Sequence, residues 1–221
     1  FNPLNNFKIN HLTYNILIDY NIVNINSRFI STNKRVENML NIINCDCMDL
    51  MKEYPDKHFE LAIVDPPYGI GNFIDDKPYY KDGRRRYSVS LSSKKVLWNE
   101  KIPKEDYFLE LYRVSQNQII WGANYYNCFG LLGGAIVWYK GDGNPVYSFC
   151  EIASLSFQKK VDYVHINWQS GFYRASIEKI IHPCQKPVAL YEWLLTKYAK
   201  KGDKILDTHG GSMSIAIAAW N

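Results

Sequence analysis

The stretch that decides the fold is Phe59-Glu60-Leu61-Ala62-Ile63-Val64-Asp65-Pro66-Pro67-Tyr68. Its apolar run, Leu61 to Val64, is short and unbroken, as in a parallel strand buried on both faces. An acid, two prolines and an aromatic follow at the strand's carboxyl end. In open α/β sheets that edge is where ligands bind. Proline has no backbone N–H, so the turn is stiff and its carbonyls are left free to accept. A rigid acceptor group beside an aromatic ring suits a planar ring that carries an NH2 group.

Outward from this stretch, strands and helices alternate. Leu40 to Asn44 reads as a strand, and Asp49 to Tyr54 as a short helix with Leu50 and Met51 inward. Glu105 to Val114 reads as a helix with Tyr107, Phe108, Leu111 and Tyr112 on one face. Strands are expected at Gln118 to Trp121, Ala135 to Tyr139, Glu151 to Phe157 and Lys204 to Asp207. Helices are expected at Tyr191 to Ala199 and from Ser212 to Trp220. This pattern predicts an α/β fold, a Rossmann-like doubly wound, mostly parallel sheet. Residues 69–104 read as one long polar loop, of the kind that is usually functional. Residues 1–38 differ in texture: ten are asparagine and none is Gly, Ala or Trp. The reading therefore expects an Asn-rich N-terminal extension over 1–38 and the folded domain over 39–221.

Composition sets the class. With 221 residues, 47% hydrophobic and 22% charged, the chain is long enough for a sizeable core and is not disordered. No apolar stretch approaches the ~18 residues of a membrane span, and no signal peptide is expected. The five cysteines form no Cys-x-x-Cys pair, which argues against a disulfide framework or zinc ribbon and fits a reducing cytoplasm. The net charge is +4, but eight basic residues crowd between Lys81 and Lys104 against Asp82 and Glu100. That segment, with Arg84, Arg85, Arg86, Lys94 and Lys95, suits phosphate contacts, although a charge run is also commonly a solvated face.

Three further blocks carry chemistry. Asp207-Thr208-His209-Gly210-Gly211-Ser212 joins a strand to a helix, and its glycines let backbone approach a ligand closely. A glycine pair alone is more often only a tight turn. His182-Pro183-Cys184-Gln185-Lys186-Pro187 leads into a helix. His182 and Cys184 have no second ligand pair nearby, so a positioning turn with Lys186 as a polar contact is expected rather than a metal site. Gln118-Ile119-Ile120-Trp121-Gly122-Ala123-Asn124-Tyr125-Tyr126 again puts small and aromatic residues at a strand end. Asp46, after the first strand, reads either as a helix cap or as a ligand contact.

Together these blocks resemble the amino-group DNA methyltransferases. Their order, with Asp65-Pro66-Pro67-Tyr68 ahead of the glycine loop, is similar to the permuted beta group, in the small forms found in phages and mobile elements. The resemblance runs from about Met39 to the last residue. It implies S-adenosylmethionine as cofactor, double-stranded DNA as partner, and the N6 amine of a flipped adenine as acceptor. Cytosine N4 is the alternative, and Asp rather than Ser at position 65 leans to adenine. By the resemblance, Asp65 and the Pro66 carbonyl accept the amine hydrogens and Tyr68 stacks on the base, with Pro67 completing the turn. Asp46, Lys186, Pro187, Asp207, His209, Gly210, Gly211 and Ser212 line the cofactor, and the basic loop clamps phosphates. Relatives are often dimers, which leaves a homodimer open. His209 and Met213 stand where similar enzymes carry Phe and Gly. The family continues past this point with an acidic strand, so the domain is expected to be C-terminally incomplete, with an incompetent fragment as a third reading.

Overall fold

Why β3 (Phe59–Val64) lies at the centre follows from its residues: Leu61, Ala62, Ile63 and Val64 are all buried. The computed structural model describes residues 14–20, 39–70, 79–81, 84–86, 99–126, 134–142, 148–168, 177–182 and 184–221. The other elements are β1 (Tyr14–Tyr20), β2 (Met39–Asn44), α1 (Cys47–Lys52), β4 (Tyr79–Lys81), β5 (Arg84–Arg86), α2 (Glu105–Val114) and β6 (Ser115–Trp121). A 3-10 turn (Ala123–Tyr125), β7 (Gly134–Tyr139), β8 (Cys150–Leu155), β9 (Val161–His165), α3 (Val188–Tyr198), β10 (Asp203–Asp207) and α4 (Ser214–Trp220) follow.

One sheet carries the order β2-β1-β10-β3-β6-β8-β7-β9. Parallel pairing holds where β10, β3 and β6 lie side by side. The expectation of a mostly parallel sheet is corrected on both sides of that centre, although β7 and β9 again run parallel at the far edge. β1 runs antiparallel to both neighbours, and β8 runs antiparallel to β6 and β7. The strands that bracket the parallel core therefore reverse direction, which brings the start of β8 to the carboxyl edge of β3 and β6.

The helices cover both faces. α3 and α4 pack with Ile16, Leu61, Ile63, Ile119 and Ile205 in one core, whereas α1 and α2 pack with Leu17, Ala62, Val64, Ile120 and Leu206 in the other. The alternation along each strand sends successive side chains to opposite faces. α2 buries Tyr107, Phe108, Leu111 and Val114, spaced for one helical face. Its first turn holds Glu105 and Asp106 and its last turn Arg113, charges that complement the helix dipole. Ser115 ends α2 by donating its hydroxyl to the Leu111 carbonyl (2.5 Å), and β6 starts on the same residue.

Three other expectations change. Tyr14–Tyr20 falls inside the stretch expected to be an extension, yet it pairs between β2 and β10, with Ile16 opposite Asp207 and Ile42. Ile16 and Ile18 are buried there, so the folded unit includes them. β9 was not anticipated; its pattern leaves Val161, Tyr163 and His165 exposed on one side, so it lacks a strong apolar signal. The long loop contains a two-stranded hairpin, β4 with β5, in which Tyr79, Tyr80 and Lys81 face Arg86, Arg85 and Arg84. Lys94 and Lys95 lie outside the described residues.

Candidate active site

Asp65 stands where β3 ends, and its carboxylate is the hub of a charged cluster. Tyr68 donates its hydroxyl to Asp65 Oδ1 (2.6 Å), and Lys186 donates Nζ to Asp65 Oδ2 (2.5 Å). Lys186 also reaches the Tyr68 hydroxyl oxygen (3.0 Å) and Glu151 Oε2 (3.1 Å). Lys140 holds the other Glu151 oxygen at 3.0 Å. Charges thus alternate along Asp65, Lys186, Glu151 and Lys140. The Lys186 side chain is 5% exposed, against 16% for Asp65 and 23% for Glu151.

Burial and charge set the protonation of this cluster. Burial opposes the Lys186 ammonium, but the two carboxylates outweigh it and hold the ammonium on. Burial pushes the Asp65 carboxyl up, and the Lys186 ammonium only partly offsets that. Burial also acts on Glu151, yet Lys186 and Lys140 together hold its carboxyl well below the usual range. The two acids consequently differ: Glu151 is the firm anion and Asp65 the better proton acceptor.

The turn around Asp65 is held from several sides. The Tyr68 N–H donates to Asn99 Oδ1 (2.9 Å). The Tyr68 ring stacks on Tyr125 at 4.8 Å, nearly parallel. Gly122 has φ +79°, and a Cβ there would come within 2.3 Å of the Tyr68 ring, so only glycine leaves room for that aromatic. Tyr126 donates its hydroxyl to the Pro66 carbonyl (2.7 Å). The carbonyl expected to be free is therefore already paired once; its second lone pair remains.

The glycine loop sits next to this cluster. β10 and β3 pair in parallel, so Asp207 and Asp65 end on the same edge. Asp207 is 2% exposed and accepts the His209 N–H at 2.9 Å. Burial raises its carboxyl to about 7, with the His209 N–H opposing and the Asp65 charge adding. Burial pulls the His209 imidazole down to about 4. Thr208 links the loop to α2 through a hydrogen bond with the Tyr107 hydroxyl (2.7 Å). Gly211 has φ +49°, and a Cβ there would sit 4.0 Å from the His182 ring. Ser214 donates to the Lys186 carbonyl (2.7 Å), which ties the turn before α3 to the loop. Met213, also at positive φ, buries its side chain in the core rather than in the loop.

A family model described as DNA methylase matches residues 59–221. The chain belongs to this DNA methylase family. Membership indicates DNA methyltransferase activity of the N6/N4 class. A search of curated proteins returned no match. In this DNA methylase the matched region holds both the Asp65 turn and the Asp207 loop. No helix among the described residues is long and apolar enough to cross a membrane.

The methylase brings Asp65, Pro66, Pro67, Tyr68 and Lys186 together, and sets Asp207, His209, Gly210, Gly211 and Ser212 beside them. Lys186 lies on Asp65, not only beside the glycine loop. Pro187 is buried and caps α3. Asp46 caps α1, accepting the Met48 N–H at 2.7 Å. Asn15 of β1 donates to the Cys45 carbonyl (3.0 Å), while its buried Oδ1 has no partner. The basic residues Arg84 to Arg86 form β5, away from the main sheet's pairing.

Sequence reasoning missed Glu151 and Lys140 as members of the charged cluster, and Tyr126 as the donor to the Pro66 carbonyl. Glu151 is the second residue of a strand, where a charged side chain ordinarily signals an exposed strand end. Only the antiparallel placement of β8 carries it to the site.

Proposed function

We propose that this methylase transfers the methyl group of S-adenosylmethionine to the exocyclic N6 amine of an adenine flipped out of double-stranded DNA. The observation that carries the reading is the Asp65 carboxylate, nearly buried at the end of β3 beside the Pro66 carbonyl and the Tyr68 ring. Carboxylate and carbonyl oxygens are acceptors only, and an amine offers two hydrogens to them. Holding both hydrogens draws the nitrogen lone pair out of conjugation with the ring. Positioning of that lone pair then supplies much of the rate. A nitrogen that gains a methyl group must shed a proton, and Asp65, with its raised carboxyl, is the group placed to take it. Tyr68 is the aromatic surface for the base, and a base inside the duplex must flip to reach it.

The cofactor site fits an adenosyl group in its chemistry. Asp207, Asp46 and the orphaned Asn15 Oδ1 are acceptors at one sheet edge, suited to amine and hydroxyl donors. Gly210, Gly211, His209 and Ser212 would form the close wall, with Lys186 and Pro187 above. When bound, S-adenosylmethionine supplies an electrophilic methyl group. Asp rather than Ser at position 65 favours adenine over cytosine N4, whose amine presents the same two hydrogens. The arginines of β5 would hold phosphates flanking the flipped base.

The test is nucleoside mass spectrometry on unmethylated DNA incubated with the protein and S-adenosylmethionine. N6-methyladenine is expected. N4-methylcytosine would keep the mechanism and change the target. Absence of both would reject the activity.

A further inference from the structure

All three hydrogens of the Lys186 ammonium are engaged: by Asp65 Oδ2 (2.5 Å), by Glu151 Oε2 (3.1 Å) and by the Tyr68 hydroxyl oxygen (3.0 Å). The shortest contact is to the acid that the proposed reaction needs as an amine acceptor. A full positive charge at that distance weakens the remaining lone pairs of Asp65 as acceptors. An entering amine and Lys186 therefore compete for one carboxylate.

Glu151 offers the way out. On β8, it meets the Lys186 ammonium through Oε2 at 3.1 Å, and its second oxygen is anchored by Lys140 at 3.0 Å. The anchor keeps Glu151 in place as Lys186 moves. We infer that Glu151 is a positioning residue that draws the Lys186 ammonium off Asp65 when an exocyclic amine arrives. This inference rests on the proposed role of Asp65 as amine acceptor. Lys186 acts as a placeholder for the amine: in the free protein its N–H groups occupy Asp65, and in the complex it turns to Glu151. The exchange keeps Asp65 paired with a donor throughout, so a nearly buried carboxylate is never left bare. The reaction itself is unchanged. No bond forms or breaks at Lys186, which keeps its proton.

A structural ion pair and a placeholder behave differently when both partners are removed. The experiment follows the Lys186 side-chain ammonium by nitrogen-15 NMR in the full chain while adenosine, cytidine or purine riboside, which lacks the amine, is added. Adenosine or cytidine is expected to shift the ammonium resonance, and purine riboside to leave it in place. Glu151→Gln should weaken binding of the amine-bearing nucleoside about ten-fold, because Lys186 then stays on Asp65. Glu151→Asp, which keeps the charge one methylene further back, should lose less. The double variant Glu151→Gln with Lys186→Met should bind the amine-bearing nucleoside about three-fold or more tighter than Glu151→Gln alone, because the competing ammonium is then gone.

Parental affinity in Glu151→Gln, a double variant that binds no better than that single one, or an ammonium resonance indifferent to every nucleoside would each overturn the inference. Failure of the methylation reading is separate. A protein that binds adenosine with this exchange but leaves DNA unmethylated would reject the activity and retain the role of Glu151.

Discussion

The proposed reaction places its amine acceptor and its proton acceptor in one side chain, Asp65. Asp65→Ala removes both acceptor and proton sink, so methyl transfer should fall roughly a hundred-fold or more. Affinity for S-adenosylmethionine should stay within a few-fold, as read by calorimetry. A variant that methylates at the parental rate would show that the catalytic assignment is wrong. Asp207 and His209 make a second residue-scale case, through pH. The Asp207 carboxyl is raised to about 7 by burial, whereas an unfolded chain loses that proton near pH ~3.9. Across that window the native state holds the extra proton, so this group lowers stability as pH rises. His209 is pulled down to about 4, whereas an unfolded histidine titrates near ~6.5. There the unfolded state holds the extra proton, so this group raises stability as pH rises. The two oppose each other between about pH 4 and 6.5. Urea unfolding at several pH values should therefore show His209→Phe losing stability toward pH 7 relative to the parent, and Asp207→Asn gaining it. Matching profiles in all three proteins would mean that neither group is shifted.

At the scale of elements, the hairpin of β4 and β5 carries the clearest expectation. Its arginines form a strand outside the main sheet, so reversing Arg84, Arg85 and Arg86 to Glu should spare the fold. DNA binding should weaken strongly, and each lost phosphate contact should reduce the salt slope by about 0.9. An unchanged slope in filter binding across a salt series would make the hairpin a solvated feature. Elements also show what local pattern can reveal. α2 was legible to the residue, because its apolar positions follow helical spacing and acids open its first turn. β9 was not legible, because one exposed side hides its alternation. Gly122 could be read as a turn residue, but its service to the Tyr68 ring depends on two strand ends meeting.

For the whole molecule, the decisive feature is β1 lodged between β2 and β10. The Asn-rich average over residues 1–38 masked a short apolar run, Ile16-Leu17-Ile18, that the sheet buries. Ile16→Ala should destabilise the protein by about 2–5 kcal/mol, measured by urea unfolding. A cost near zero would put β1 outside the folded unit after all. Local sequence pattern carries the central strand, the helices and the residues at two strand ends, since apolar periodicity and proline or glycine chemistry act over a few residues. It also placed Asp65 and Asp207 on one edge, because parallel strands end together. The tertiary structure alone decided strand direction at the flanks, the entry of β1 into the sheet and the ion chain from Asp65 through Lys186 and Glu151 to Lys140. The contacts of that ion chain join residues up to 121 positions apart, and no local pattern encodes which distant charge a buried ammonium will meet.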